Sequence, residues 1–108
     1  MSQEDQDITS KIERLEAFEE RTGVRIEALY AYVDQFDHVT LNGEIHPREG
    51  LSLKQTVELV LDVYDHHGRL LNTSSKVFLQ DSFYGFQSFS LVACYVGKEA
   101  VRLRLYPR

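Results

Sequence analysis

Residues 56–71 read TVELVLDVYDHHGRLL, and this stretch decides the fold. Apolar and polar side chains take turns through its first half, which is the two-residue period of a strand with one buried face. The alternating apolar residues are Val57, Leu59, Leu61 and Val63. The polar run 65–69, which includes Gly68, then interrupts the alternation with turn chemistry before Leu70 resumes an apolar run. We therefore predict a β-hairpin.

The same period of two continues through the chain from Val24 onward and predicts six or seven strands separated by short polar turns. The returning arm of the hairpin carries small polar residues at 72–75, which indicates an edge strand or a strand that switches sheets. Gly43 interrupts another strand and indicates a bulge. In the last two strands, the side chains expected to face the core are Phe89, Leu91, Ala93, Val101, Leu103 and Leu105.

The strand region contains no long segment of helical period. A parallel crossover needs about a dozen residues or more, so the pairing should be antiparallel. Several strands carry enough apolar residues for one buried face, which favours two sheets that face each other across one core. We predict a mainly β protein, namely an antiparallel immunoglobulin-like β-sandwich with one N-terminal α-helix. A small closed barrel is the alternative.

The first 23 residues differ from the rest because they hold seven acidic and three basic side chains, whereas the remainder is nearly neutral. Apolar residues recur there at spacings of four and three, which predicts an amphipathic helix from Ile8 to Arg21. The stripe consists of Ile8, Ile12, Leu15 and Phe18. Gly23 suits the left-handed residue that closes a helix. We predict two parts, an acidic helix in residues 1–23 and a β-sandwich domain in residues 24–108.

A helix of this length is marginal alone in water, so its apolar stripe must be covered. Two interpretations remain open at this point. The stripe packs on its own domain, or it forms a seam with another copy of the chain or with a partner protein.

Composition excludes several classes of function. The formal net charge of -5 argues against general binding to nucleic acid. No apolar run approaches the roughly 20 residues that a membrane-spanning helix needs. The single Cys94 cannot form an internal disulfide, and the start MSQEDQD lacks the pattern of a secretion signal. We therefore expect a cytoplasmic protein.

Three stretches carry a resemblance to a known family. They are Val63-Tyr64-Asp65 followed by Gly68, the aromatic run from Phe83 to Phe89, and the ending Arg102–Pro107. In these stretches the chain resembles small bacterial immunoglobulin-like domains of unknown function, some of which are named for an F-x-L-Y-D motif. The resemblance covers residues 24–108. It implies an accessory or interaction module without catalytic residues.

The hairpin turn offers the main candidate for metal chemistry. His66 and His67 lie beside Asp62 and Asp65, and imidazole with carboxylate is a plausible zinc or nickel set. Adjacent histidines in a turn usually diverge, so we expect solvated side chains, no metal ion and no cofactor. Cys94 has no activating base nearby in sequence and is expected to be inert in an apolar strand.

The aromatic loop is the most informative candidate for binding. Phe83, Tyr84, Phe86 and Phe89 cluster around Gly85, and such clusters are typical of binding hot spots and carbohydrate platforms. Three interpretations remain open, namely closure of the core, a protein-binding patch, or a site for a sugar or small ligand.

The last strand offers a second candidate surface. Its outward side chains are expected to be Arg102, Arg104 and Tyr106. They could receive an acidic partner, including the acidic helix of another copy, or they form a charged face that discourages edge pairing.

These patterns favour a noncatalytic protein-interaction or assembly module, in which the helix and one face of the sandwich contact another copy or a partner protein. The alternative is a β-sandwich that binds a carbohydrate, small molecule or metal through the loop Phe83–Phe89 or the turn with His66 and His67. No triad, phosphate loop or spaced carboxylate pair indicates an enzyme.

Overall fold

A computed structural model describes residues 5–108 of the chain. Within these residues there are eight strands and one α-helix. In chain order they are β1 (Gln6–Asp7), β2 (Ile12–Arg14), α1 (Glu16–Thr22), β3 (Val24–Val33), β4 (Val39–Pro47), β5 (Val57–Tyr64), β6 (Leu70–Phe78), β7 (Gln87–Ala93) and β8 (Arg102–Pro107). Single 3-10 turns follow β1 at Thr9–Lys11 and β6 at Gln80–Ser82.

The strands form two sheets of four. Sheet I has the order β1-β3-β4-β7, and sheet II has the order β2-β8-β5-β6. Apolar side chains from both sheets belong to one buried cluster, so the sheets share a single core. The prediction of a mainly β protein with two sheets is confirmed.

The hairpin predicted from residues 56–71 is confirmed as β5 and β6. The alternating residues of β5 are fully buried because they point into the core between the two sheets. Val60 is also buried, on the outer face, where its paired residue is Tyr106. β6 lies at the edge of sheet II, as its polar middle predicted.

The helix predicted from Ile8 to Arg21 is wrong over its first half, because α1 spans only Glu16–Thr22. β1 pairs with β3 in sheet I, and β2 pairs with β8 in sheet II, so the N-terminal segment crosses from one sheet to the other. Ile8 lies between them, is only 2% exposed, and its N–H donates to the carbonyl of Ala31 (2.8 Å). Strand pairing and burial in the core therefore determine the structure of this segment. They override the local preference for a helix, which is weak.

The predicted end of the helix is correct. Gly23 adopts the left-handed conformation with φ of 76°, and its N–H donates to the carbonyls of Glu19 and Glu20. Glycine populates this region without the steric cost that other residues meet.

The predicted purely antiparallel pairing needs one correction. β2 runs parallel to β8, with Ile12 paired to Leu103, whereas the other strand pairs are antiparallel. The whole intervening chain serves as the crossover, so the pair needed no connecting helix.

The bulge that Gly43 indicated lies in the partner strand. The register of β3 against β4 shifts between Glu27 and Tyr30, and Ala28 has a φ of 57° there. A Cβ on Gly43 would lie 2.8 Å from side-chain atoms of both Leu29 and Phe89, so only glycine fits opposite the bulge.

The inward residues of the last two strands are mostly as predicted, since Phe89, Leu91, Ala93, Leu103 and Leu105 are buried. Val101 is an error, because it precedes β8 and is 45% exposed. Cys94 lies in an exposed turn after β7 and not in a strand.

The single α-helix within residues 5–108 has seven residues, and none of the described helices is long and apolar enough to span a bilayer.

Candidate interaction surface

The structure disperses the apolar stripe that the sequence predicted. Ile8 lies in the core and Ile12 lies in β2, while Leu15 precedes the helix. Phe18 meets Tyr106 edge to face with ring centroids 5.5 Å apart, and Arg21 covers its ring at 4.6 Å. The four residues therefore do not form a seam on one helix face.

The outward residues of β8 already have partners inside the chain. Arg104 donates to Glu13 at 3.1 Å, and Arg102 approaches the same carboxylate at 3.6 Å. An acidic residue of the N-terminal segment of the same chain therefore already pairs with both arginines.

A hydrogen-bonded network completes the outer face of sheet II. The hydroxyls of Tyr106 and Thr73 donate to the two carboxylate oxygens of Asp62, at 2.9 and 2.7 Å. Burial and the bond to Asp62 raise the pKa of Tyr106 above its ordinary value. Arg108 bonds Glu58 at 2.7 Å, which lowers the pKa of that carboxyl group. We call this outer face of sheet II the closed face, because its polar side chains satisfy one another.

The aromatic loop divides between the core and the surface. Phe83 is buried and packs edge to face on Phe78, with centroids 6.1 Å apart. Tyr84, the next residue, is 74% exposed, and Phe86 is also exposed. The interpretation as core closure therefore holds for Phe83 and Phe89, whereas the other two aromatic side chains face outward.

Four large exposed apolar side chains lie on the loops at this end of the molecule. We call them the end surface, and they are Leu51, Leu79, Tyr84 and Phe86. The loops that carry them are fastened together, because the N–H of Gly85 donates to the carbonyl of Leu51 at 2.7 Å. Gln80, next to Leu79, bonds the same loop through Thr56 (3.0 Å).

Phe86 is held from the other side by β4. Its ring lies parallel to that of His46, with centroids 5.0 Å apart and an interplanar angle of 9°. The same loops also carry two exposed basic and two exposed acidic residues, which are Arg48, Lys54, Glu49 and Asp81. The end surface is thus apolar, and the loops that carry it hold balanced charge.

The histidine turn is organised by Asp65. Its carboxylate accepts from the N–H groups of Arg69 and His67, both at 2.9 Å, and these bonds lower its pKa. The rings of His66 and His67 lie 3.9 Å apart and are exposed. In residues 5–108 no group of three or more His, Cys, Asp and Glu side chains is arranged to hold a metal ion.

Sequence reasoning missed a second exposed aromatic cluster, at the opposite end of the molecule. His38 lies between Tyr95 and Phe36, with centroids 4.6 and 6.3 Å away, and its Nδ1 accepts from the N–H of Tyr95. Tyr95 has a φ of 61°, which is unusual for an aromatic residue. These residues are far apart in sequence, so no local pattern could have joined them.

Comparison of the chain with protein-family models, with curated proteins and with solved structures finds no match.

Proposed function

We propose that the protein is a noncatalytic assembly module, built on an immunoglobulin-like sandwich, whose end surface binds the end surface of a second copy. The observation that carries this proposal is the exposure of four large apolar side chains on loops that are hydrogen-bonded to each other.

The strand order supports the immunoglobulin-like part of the proposal. Strands β3-β4-β7 correspond to A-B-E of an immunoglobulin domain, and β8-β5-β6 correspond to F-C-C′. β2 lies beside β8, where the G strand would lie, although β2 runs parallel. The resemblance to small bacterial domains of the F-x-L-Y-D type belongs to the same proposal.

Energetics favour burial of the end surface. Covering a large apolar side chain contributes about 1.5–3 kcal/mol relative to leaving it in water. The loop around Gly85 is already bonded to Leu51, and Phe86 is stacked on His46, so association would freeze few additional rotamers. Apolar and aromatic anchors on fixed loops are typical of interface hot spots.

A second copy is the partner that the charge of these loops favours. The loops that carry the end surface hold two exposed basic and two exposed acidic residues, so they have no net charge that would repel the same loops of another copy. A twofold arrangement brings the same patch of both subunits together, which is the commonest symmetry of soluble oligomers.

The setting that we propose is cytoplasmic. Cys94 is an exposed, unpaired thiol, and exposed thiols persist in a reducing compartment.

The proposal is tested by measuring mass in solution by light scattering across a dilution series. The wild type should approach twice 12.5 kDa, and the double variant Tyr84→Ser, Phe86→Ser should remain at 12.5 kDa. The matched control is Phe36→Ser, Tyr95→Ser, which removes two exposed aromatic rings from the opposite end and should leave the dimer intact. A wild type that is monomeric at every concentration would overturn the proposal.

A further inference from the structure

A hollow of about 540 Å³ lies on the outer face of sheet I. Its lining includes Ala28, Asn42, Glu44, Lys76, Ser88 and Ser90. The β-sheet register explains its floor, because Ser90 is paired with Asn42 and Ser88 with Glu44, and paired residues point to the same side of a sheet.

The bulge in β3 borders the hollow. Ala28 sits at the bulge with a small exposed side chain. Bulges commonly redirect side chains next to binding sites. Ala28 therefore leaves room on this face where a larger side chain would cover the floor.

The polar groups of the hollow are available to a ligand. Within residues 5–108, the side chains of Asn42, Ser88 and Ser90 take part in none of the observed side-chain hydrogen bonds. The amide of Asn42 offers two donors and one acceptor, and each serine hydroxyl offers one donor and an acceptor. These donors and acceptors match a ligand with several hydroxyl groups, because each hydroxyl group can both donate and accept a hydrogen bond.

Aromatic side chains lie next to the lining of the hollow, on the same face of sheet I. Tyr30 is paired with Asn42 and is 44% exposed, and Tyr32 lies beside it with ring centroids 5.4 Å apart. His46 is stacked on Phe86. His46 lies four positions beyond Asn42 on β4, which corresponds to about 13 Å along an extended strand. The rings are therefore spaced for a ligand longer than one sugar ring.

Charge in the hollow favours a neutral ligand. The lining carries one acid, Glu44, and one base, Lys76. Glu44 is also held by His46 at 3.0 Å, and His46 contacts Glu27 at 3.1 Å. The site therefore offers no net charge for an ionic ligand.

We propose that this hollow binds a neutral oligosaccharide. Sugar rings present apolar C–H faces, which stack on aromatic rings, and hydroxyl edges, which bond amide and hydroxyl groups. Tyr30 and Tyr32 supply the stacking surface, while Asn42, Ser88 and Ser90 form hydrogen bonds with the hydroxyl groups. This site is separate from the end surface, and the two share only the His46–Phe86 stack at their boundary.

The experiment is an amide-resolved NMR titration with cello-, xylo- and manno-oligosaccharides, and with an oligogalacturonate as the charged probe. At least one neutral oligosaccharide should shift the signals of residues 28, 42, 88 and 90. Tyr30→Ala should weaken that binding about tenfold, because one stacking partner is lost. Asn42→Ala should weaken it by a similar factor, and its spectrum checks that the variant is folded.

Tyr84→Ala is the matched control, because it removes an exposed tyrosine of the end surface. It should leave the oligosaccharide affinity unchanged even though it weakens the dimer. The inference is overturned if no neutral oligosaccharide shifts those signals, if the oligogalacturonate binds more tightly than the neutral probes, or if Tyr30→Ala and Tyr84→Ala reduce the affinity equally. The mass measurement on the same variants reports on the dimer independently.

Discussion

The outer faces of the two sheets carry similar kinds of side chain but differ in what those side chains do. On the closed face, Asp62 accepts two hydrogen bonds and Glu13 pairs with Arg104. On sheet I, Asn42 and Ser90 line a hollow and have no such partners among the described residues. The difference teaches that a polar residue on a sheet surface is a binding candidate only when the chain itself leaves it unpaired.

The cause of the difference is the N-terminal segment. It delivers Glu13 and Phe18 onto sheet II, where they cover β8. On sheet I it adds the short β1, and its other contacts lie along β3, at the far side from β7. One face is therefore covered by the chain, whereas the other remains open.

The largest expected effect comes from removing the anchor of that segment. Ile8→Ala should lower the free energy of unfolding by about 3 kcal/mol, because Ile8 is buried in the core. Urea denaturation measures the change, and Ile8→Val should cost only about 1 kcal/mol. If Ile8→Ala costs no more than Ile8→Val, the segment does not fasten the closed face.

A smaller loss should follow from breaking the network of the closed face itself. Asp62→Ala removes the acceptor of both Tyr106 and Thr73 and should cost about 2 kcal/mol of unfolding free energy. Asp62→Asn keeps one acceptor oxygen and should cost less. Equal losses for the two variants in urea denaturation would contradict the assigned role of the carboxylate.

The closed face should also be sensitive to alkali. The folded protein raises the pKa of Tyr106, so it favours the protonated phenol. This contribution to stability is complete below the ordinary tyrosine pKa of about 10 and is lost as the pH rises through the raised value. A tyrosinate absorbance titration should show a late phase that Tyr106→Phe removes, and a titration in which this variant keeps the late phase would contradict the assignment.

The smallest effect is expected on the open side. Asn42→Ala combined with Ser90→Ala should change the free energy of unfolding by less than about 0.5 kcal/mol, because neither side chain has a partner to lose. Thermal unfolding checks this. A loss as large as that of Asp62→Ala would abolish the contrast between the two faces.

The sequence was sufficient to predict which side chains of a strand face the core, because this depends only on alternation within that strand. The β5 residues Val57 to Val63 and the β7 residues Phe89 to Ala93 face the core as expected, because inward and outward positions follow the period of two. The role of Gly23 at the end of the helix was also predictable, because a left-handed residue at that position is a local requirement of the helix terminus.

What depends on distant partners could not be predicted. The spacing of Ile8 and Ile12 imitates a helix, and only the pairing of β2 with β8 reveals the extended form. The open face was missed for a different reason. Inward residues of β3 change phase from Val24 and Ile26 to Ala31 and Val33, and this phase change was the available sign of the bulge.

The parallel pairing of β2 with β8 limits the order in which the strands of sheet II can pair during synthesis and folding. Glu13 and Arg104 are separated by 91 positions, so a chain emerging from the ribosome has made β2 long before its neighbour exists. Until then Glu13 and Phe18 have nothing to cover, and joining them is the kind of remote contact that slows folding. β2 is thus among the last strands to find its partner.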